Sequence, residues 1–105
     1  MSSSTAAQDG FNEIIHAPTR LRICSILAEV TDAEFGTVRD ALGLSDSVLS
    51  KHLKVLEDAG YITLRKGTVN TRTRTWVSLT KAGRAAFKAH IAELRALAAS
   101  ADSLD

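Results

Sequence analysis

The stretch from Ser45 to Gly60, SDSVLSKHLKVLEDAG, constrains the chain more than any other. Leu49, Leu53 and Leu56 recur at steps of four and three, which puts them on one face of a helix and turns that face towards a core. Ser47, Ser50, Lys51 and Lys54 fall elsewhere on the cylinder, so short hydroxyls and long cations are free to touch something outside. Ser45 suits an N-cap, because its hydroxyl can accept a bond from an unpaired backbone N–H of the first turn. Gly60 suits a C-cap, because a left-handed backbone is cheap for glycine. Cations and hydroxyls on one exposed helix face are the groups that touch nucleic-acid phosphates and base edges, so the stretch is expected to be a DNA recognition helix.

The flanks fit that expectation. Phe35 to Leu42 predicts a short helix with Phe35, Val38 and Leu42 inward, and Gly43-Leu44 joins it to the Ser45 helix. Two short helices around a tight glycine turn form a helix-turn-helix, whose first helix crosses the DNA backbone while the second enters the major groove. After Gly60 the period changes from helical to alternating. Ile62 and Leu64 alternate with Thr63 and Arg65, and Val77 and Leu79 with Trp76 and Ser78, which predicts an antiparallel hairpin. Its tip is expected between Lys66 and Arg74, with Gly67 and Asn70 in the turn and Lys66, Arg72 and Arg74 as charges. A basic hairpin after a recognition helix is a wing that holds the phosphate backbone or enters the minor groove. The plainer alternative is a solvated edge whose cations discourage sheet-to-sheet association.

Charge is uneven along the chain. Net charge is only +1, yet residues before position 51 carry three basic against seven acidic groups and the rest carry ten against five. That asymmetry concentrates cations on one surface. The single cysteine, Cys24, excludes an internal disulfide and is expected to be a buried apolar residue rather than a redox centre. No apolar run approaches the roughly 20 residues that span a bilayer, and the start MSSSTAAQDG lacks a signal-like basic and apolar pattern, so a cytoplasmic location is expected, without membrane attachment.

The first ten residues are expected to be a disordered tail, and residues 11–100 one domain. Phe11, Ile14 and Ile15 form an apolar stripe of about two helical turns. Pro18 opens the next helix, which ends near Val30 and presents Leu21, Ile23, Cys24, Ile26, Leu27 and Val30. Thr31 to Glu34 is a connector with room for a short extended segment. Thr80 suits the cap of a last helix over about residues 81–100, with Gly83 placed where a side chain would meet the hairpin. Phe87, Ile91, Leu94 and Ala98 repeat at four, three and four, and Leu97 widens that seam. An apolar seam at the end of a small domain is expected to face a second copy, the alternative being that it folds back on its own domain. The fold class is thus mainly α with a small antiparallel β-hairpin, an α+β winged helix-turn-helix with N- and C-terminal dimerisation helices.

LGLSDSVLSKHLKVLEDAGYI, a basic hairpin and then LTKAGR closely resemble the small stand-alone winged-helix transcriptional regulators of the MarR and ArsR kind, over roughly Phe11 to Leu97. The combination of Ser50 to Lys54, the Ala59-Gly60-Tyr61 exit and Leu79-Thr80-x-x-Gly83 carries the resemblance. It implies a homodimer on a pseudo-palindromic double-stranded DNA operator, with repression as the default output. By position it assigns DNA contacts to Asp46, Ser47, Val48, Ser50, Lys51 and Lys54 on the recognition helix, to Lys66, Arg72 and Arg74 on the wing, and to Thr37 at a phosphate-binding helix start. His52 falls in the same motif, as a phosphate contact or as packing. The dimer interface implied is Phe11, Ile14, Ile15, Phe87, Ile91, Leu94, Leu97 and Ala98.

Departures from the family narrow the reading. Metal-sensing relatives carry a cysteine pair or a spaced Asp/His/His/Glu set, whereas His90 and Glu93 alone make an incomplete site, so neither metal nor cofactor is expected. The chain has little spare length for a ligand pocket, which leaves the dimer interface for any small-molecule effector. Two other classes compete. The basic wing and the scarcity of exposed apolar residues on the recognition helix speak against a winged-helix protein-interaction module, and an enzyme would need more than Cys24 with His16 or His52, given no phosphate loop or nucleophile elbow.

Overall fold

The computed structural model describes residues 10–103, as five helices and three short strands. Of the expected tail, residues 1–9 lie outside the described residues. Gly10 lies against the last helix, where a Cβ would come within 2.5 Å of Glu93 Cγ.

Helix α1, Glu13–His16, is a single turn rather than two. Asn12 sets its start, because its side chain accepts the Ile15 N–H and leaves Phe11 outside the helix. Helix α2, Pro18–Ala28, begins on proline as expected and buries Ile23, Cys24 and Leu27. It stops two residues before Val30, which is therefore 41% exposed rather than in the core. Arg84 reaches back to this end and donates to the carbonyls of Ala28 (2.8 Å) and Val30 (3.4 Å), a cation at a helix C-terminus.

The Thr31 to Glu34 connector contains strand β1, Ala33–Glu34. It pairs antiparallel with β3, Arg72–Leu79, which pairs in turn with β2, Ile62–Val69. The sheet is therefore three-stranded, in the order β1-β3-β2, and the hairpin is anchored to the helical body by β1. Helix α3, Phe35–Leu42, and helix α4, Asp46–Asp58, form the helix-turn-helix. Gly43 adopts φ +66° between them. Helix α4 starts on Ser45, whose hydroxyl accepts the Val48 N–H at 3.2 Å. It ends on Ala59, one residue before the expected cap. Gly60 at φ +81° lets its own N–H reach Glu57 O and the Tyr61 N–H reach Leu56 O.

One core unites these parts: Ile15, Ile23, Cys24, Leu27, Val38, Leu49, Leu53, Leu56, Ile62, Val77 and Leu79. Helix α5, Lys81–Asp102, runs from the sheet past α1 and α2, and its second half projects beyond the core. Thr80 caps it, accepting the Gly83 N–H at 2.9 Å. The expected conflict at Gly83 is with Tyr61, just before β2, whose carbonyl oxygen would lie 2.0 Å from an added Cβ.

Candidate nucleic-acid interface

Helix α4 divides as its sequence predicts. Leu49, Leu53 and Leu56 are buried, and Asp46, Ser47, Val48, Ser50, Lys51 and Lys54 are exposed. Thr37, in the first turn of α3, is exposed as well. His52 is half-buried and turned away from that face. Its Nδ1 lies 3.2 Å from Nη1 of Arg20, which also donates from Nε to Ile14 O at 2.6 Å. Burial, then the charges of Arg20 and Lys51, push the His52 pKa down, so the ring is neutral and accepts from the guanidinium. It joins α4 to α2, which favours the packing role over the phosphate contact for this residue.

The wing differs from expectation in its turn. Asn70 (φ 51°) and Thr71 (φ 66°) form a two-residue hairpin turn of the type that matches strand twist. Gly67 lies within β2 opposite Arg74, where Trp76 packs so closely that a Cβ would be 3.0 Å from its ring. Lys66 and Arg74 are thus mid-strand, opposite Thr75 and Gly67, and only Arg72 flanks the turn. Alternation sends Leu64, Lys66, Thr73 and Thr75 to one face of the hairpin and Arg65, Gly67, Arg72, Arg74 and Trp76 to the other. Arg65 stacks on Trp76, with its guanidinium 4.7 Å from the ring centre, and pairs with Asp32 at 3.5 Å.

Between the start of α4, the start of α3 and the wing lies an open cleft of about 510 Å³, lined by Glu34, Arg39, Asp46, Ser50, Arg72 and Arg74 among others. Sequence reasoning missed Arg39. It bridges the helix-turn-helix, with Nη1 2.8 Å from Asp46 and Nε 2.9 Å from Asp40. Its hydrogen bond, and then its charge, hold the Asp40 carboxyl below the usual range. Arg74 pairs through Nη1 with Glu34 on the neighbouring strand, and its buried Nε has no partner among the described residues. Lys54 pairs with Asp58 one turn on, at 3.2 Å. Among the assigned DNA contacts, Lys51, Lys66 and Arg72 have no carboxylate partner within the described residues. The signal for Arg39 lay in the i and i+7 spacing to Asp46 across a glycine turn, a geometry that helical periodicity does not encode.

The residues assigned to a dimer interface separate into two groups. Ile15 is fully buried in the chain's own core and offers no surface in the single chain. Ile14 and Phe87 pack against that core, and Phe11 covers His16 and His90 at ring distances of 4.8 and 4.9 Å. On α5, Ile91 and Leu94 are half-buried, Ala98 is exposed and Leu97 is 57% exposed, so the outer seam is uncovered in a single chain. His90, read as half of an incomplete metal site, is instead fully buried and bonded to Asn12 and His16. No group of three or more metal-ligating side chains occurs among the described residues. Nor, among them, is any helix long and apolar enough to cross a membrane.

A glycine-linked helix pair, a recognition helix with an exposed cationic face and a basic hairpin on a three-stranded sheet define a winged helix-turn-helix protein. Residues 19–98 match the winged helix DNA-binding domain family, and the chain belongs to it. It is 33% identical over 82 residues to the uncharacterized protein MJ0432 of Methanocaldococcus jannaschii, covering 78% of this chain and 89% of that one. A transcriptional regulator homologue from Pyrococcus horikoshii superposes with a TM-score of 0.79 at 31% identity, covering 90% of each chain. YusO of Bacillus subtilis shares the fold, with a TM-score of 0.75 at 19% identity over 99% of this chain and 78% of that one. Family and fold are those of small winged-helix transcriptional regulators of the MarR and ArsR kind.

Proposed function

We propose that the chain is a sequence-specific transcriptional repressor that binds a pseudo-palindromic operator as a homodimer. The observation that carries this reading is the exposed Ser47, Val48, Ser50 and Lys51 face of α4, set beside a cleft into which Arg72 of the wing opens. In this reading α4 enters the major groove. Lys51 bonds guanine O6 or N7, the two serines bond bases or phosphates, and Val48 meets a thymine methyl. Thr37 holds a phosphate at the start of α3. Lys66 and Arg72 supply sequence-independent attraction to the backbone or the minor groove.

The uncovered seam of Ile91, Leu94, Leu97 and Ala98 supports pairing with a second copy through α5. Pairing sets two recognition helices about one DNA turn apart. A shallow groove lined by Phe87, Lys88, Ile91 and Arg95 runs beside that seam and is the place for a small-molecule effector in this reading.

The test is to incubate the purified protein with fragmented genomic DNA at two salt concentrations and sequence what stays bound. Recovery of a palindromic site retained at the higher salt is the expected result. Sequence-blind or absent binding would overturn the reading in favour of a protein-interaction module.

A further inference from the structure

The cleft beside α4 is lined by three arginines and two carboxylates, and these are not mixed at random. Arg39 is held by Asp46 at 2.8 Å and, through Nε, by Asp40 at 2.9 Å, and Arg74 is held by Glu34. Each pair joins two elements: Arg39–Asp46 links α3 to α4, and Glu34–Arg74 links β1 to β3. Each is partly exposed, with side-chain accessibilities of 35% and 71% in the first pair and 38% and 31% in the second. Both guanidinium groups are therefore within reach of a backbone phosphate that enters the cleft, and neither is free to meet it. Arg72 is the one arginine of the cleft without a carboxylate partner among the described residues.

A carboxylate bound to arginine occupies the donors a phosphate would use, and it also repels the phosphate. An arginine thus paired adds little to sequence-independent attraction unless the pair opens. We propose that Asp46 and Glu34 are specificity-determining residues, internal competitors that keep Arg39 and Arg74 from non-cognate DNA phosphates. The inference rests on the DNA-binding reading above and adds a term to it: contact with bulk DNA is confined to the unpaired cations Lys51, Lys66 and Arg72. At a fitted site, close seating of α4 brings a phosphate into the cleft, where it can displace the carboxylates.

The experiment measures binding of a random-sequence duplex to the intact protein as a function of salt, for the wild type, Asp46→Asn and Glu34→Gln, with folding checked by circular dichroism. Glu34→Gln should tighten binding roughly threefold to tenfold at low salt and steepen the slope of log K against log salt by about 0.9, the increment of one added phosphate contact, and Asp46→Asn should act in the same direction but less, because Asp40 still holds the Arg39 Nε. Two double variants separate this from bulk charge. In an Arg39→Ala background Asp46→Asn should relieve only repulsion and leave the slope without that steepening, and Glu34→Gln should do the same in an Arg74→Ala background. Weaker binding, an unchanged slope, or equal steepening without the arginine would each overturn the inference while leaving the DNA reading intact. Failure of the wild type to hold the duplex at any salt would overturn the DNA reading, and this inference with it.

Discussion

His90 donates its Nε2 proton to Nδ1 of His16 across 3.2 Å. The direction follows from the other ring nitrogen, since His90 Nδ1 accepts the backbone N–H of Asn12 at 3.0 Å and a neutral imidazole carries one proton. A proton added to either ring must then displace an existing bond. Burial foremost, then the neighbouring His16, lowers the His90 pKa, with Glu93 opposing. Asn12 in turn donates from Nδ2 to the Tyr61 hydroxyl at 2.7 Å, so the pair ties the segment before α1 to α5 and to the start of the wing.

Acid should therefore loosen this junction. A histidine with a lowered folded pKa contributes fully above its unfolded value, about 6.5. As pH falls below that value, the unfolded chain takes up a proton that the folded chain resists, and stability declines towards the folded pKa. His52 adds to the trend in the same direction. Urea melts between pH 8 and pH 5 should show the midpoint falling below about pH 6.5, and the fall should be smaller in His90→Gln. A midpoint independent of pH in this range would contradict the tautomer assignment.

Two glycines should respond to alanine very differently. At Gly83 the new Cβ would sit 2.0 Å from the Tyr61 carbonyl oxygen, a backbone atom that cannot turn aside. Gly83→Ala should cost about 3 kcal/mol or prevent folding, despite the better helix propensity of alanine. At Gly43 nothing lies within 4 Å, and the cost is only that of φ +66°, about 1 kcal/mol. Denaturant melts of the two variants measure the contrast directly.

The hairpin turn carries strain that can be removed. Thr71 is β-branched and sits at φ 66°, a region such residues rarely occupy. Thr71→Gly creates the Asn-Gly pair that this turn type favours and should raise stability by about 1 kcal/mol. A lower melting midpoint would show that the Thr71 side chain contributes more than its backbone costs.

The two wing arginines should differ in their effect on DNA binding. Arg72→Ala removes an unpaired cation and should flatten the salt slope by about 0.9. Arg74→Ala removes one already neutralised by Glu34 and should flatten it less. Equal changes would mean that the Glu34 pair opens on every duplex. For assembly, Leu97→Glu should abolish the proposed homodimer without unfolding the chain, since Leu97 makes no part of the core. Sedimentation velocity together with a circular-dichroism melt reads both outcomes.

Cys24 should be inert. It is fully buried, and burial pushes its pKa up to about 11, the charge of Arg20 opposing only in part. A thiol-reactive probe should label the native protein slowly and the urea-denatured protein quickly.

Legibility in the sequence followed the range of the forces. Leu49, Leu53 and Leu56, the Ser45 and Thr80 caps and the burial of Cys24 are decided within a few residues, and periodicity and capping preference expose them. The α1 turn was overestimated because Asn12, not Phe11, governs its start. Strand β1 has two residues and exists only because β3 offers an edge to Ala33 and Glu34. The exposed face of α4 was legible residue by residue. The charge state of the cleft was not, because Glu34 and Arg74 lie 40 positions apart and their pairing depends on strand order. His90 and Glu93 suggested a half-built metal site because spacing along one helix is visible, whereas the approach of Asn12 and His16 from the other end of the chain is not.

Thr80 occupies a mechanical position that its small size conceals. Its hydroxyl donates to Gly60 O at 2.7 Å and accepts from Gly83 N at 2.9 Å, while its own N–H reaches Tyr61 O at 2.9 Å. The exit of the recognition helix and the entry of α5 are fastened at one point. Helix α5 has 22 residues, a lever of roughly 33 Å, so a displacement of about 3 Å at its far end corresponds to a swing of about 5° at that pin. A displacement of the outer seam therefore arrives at the exit of α4 as a small angle about a point fixed by three hydrogen bonds.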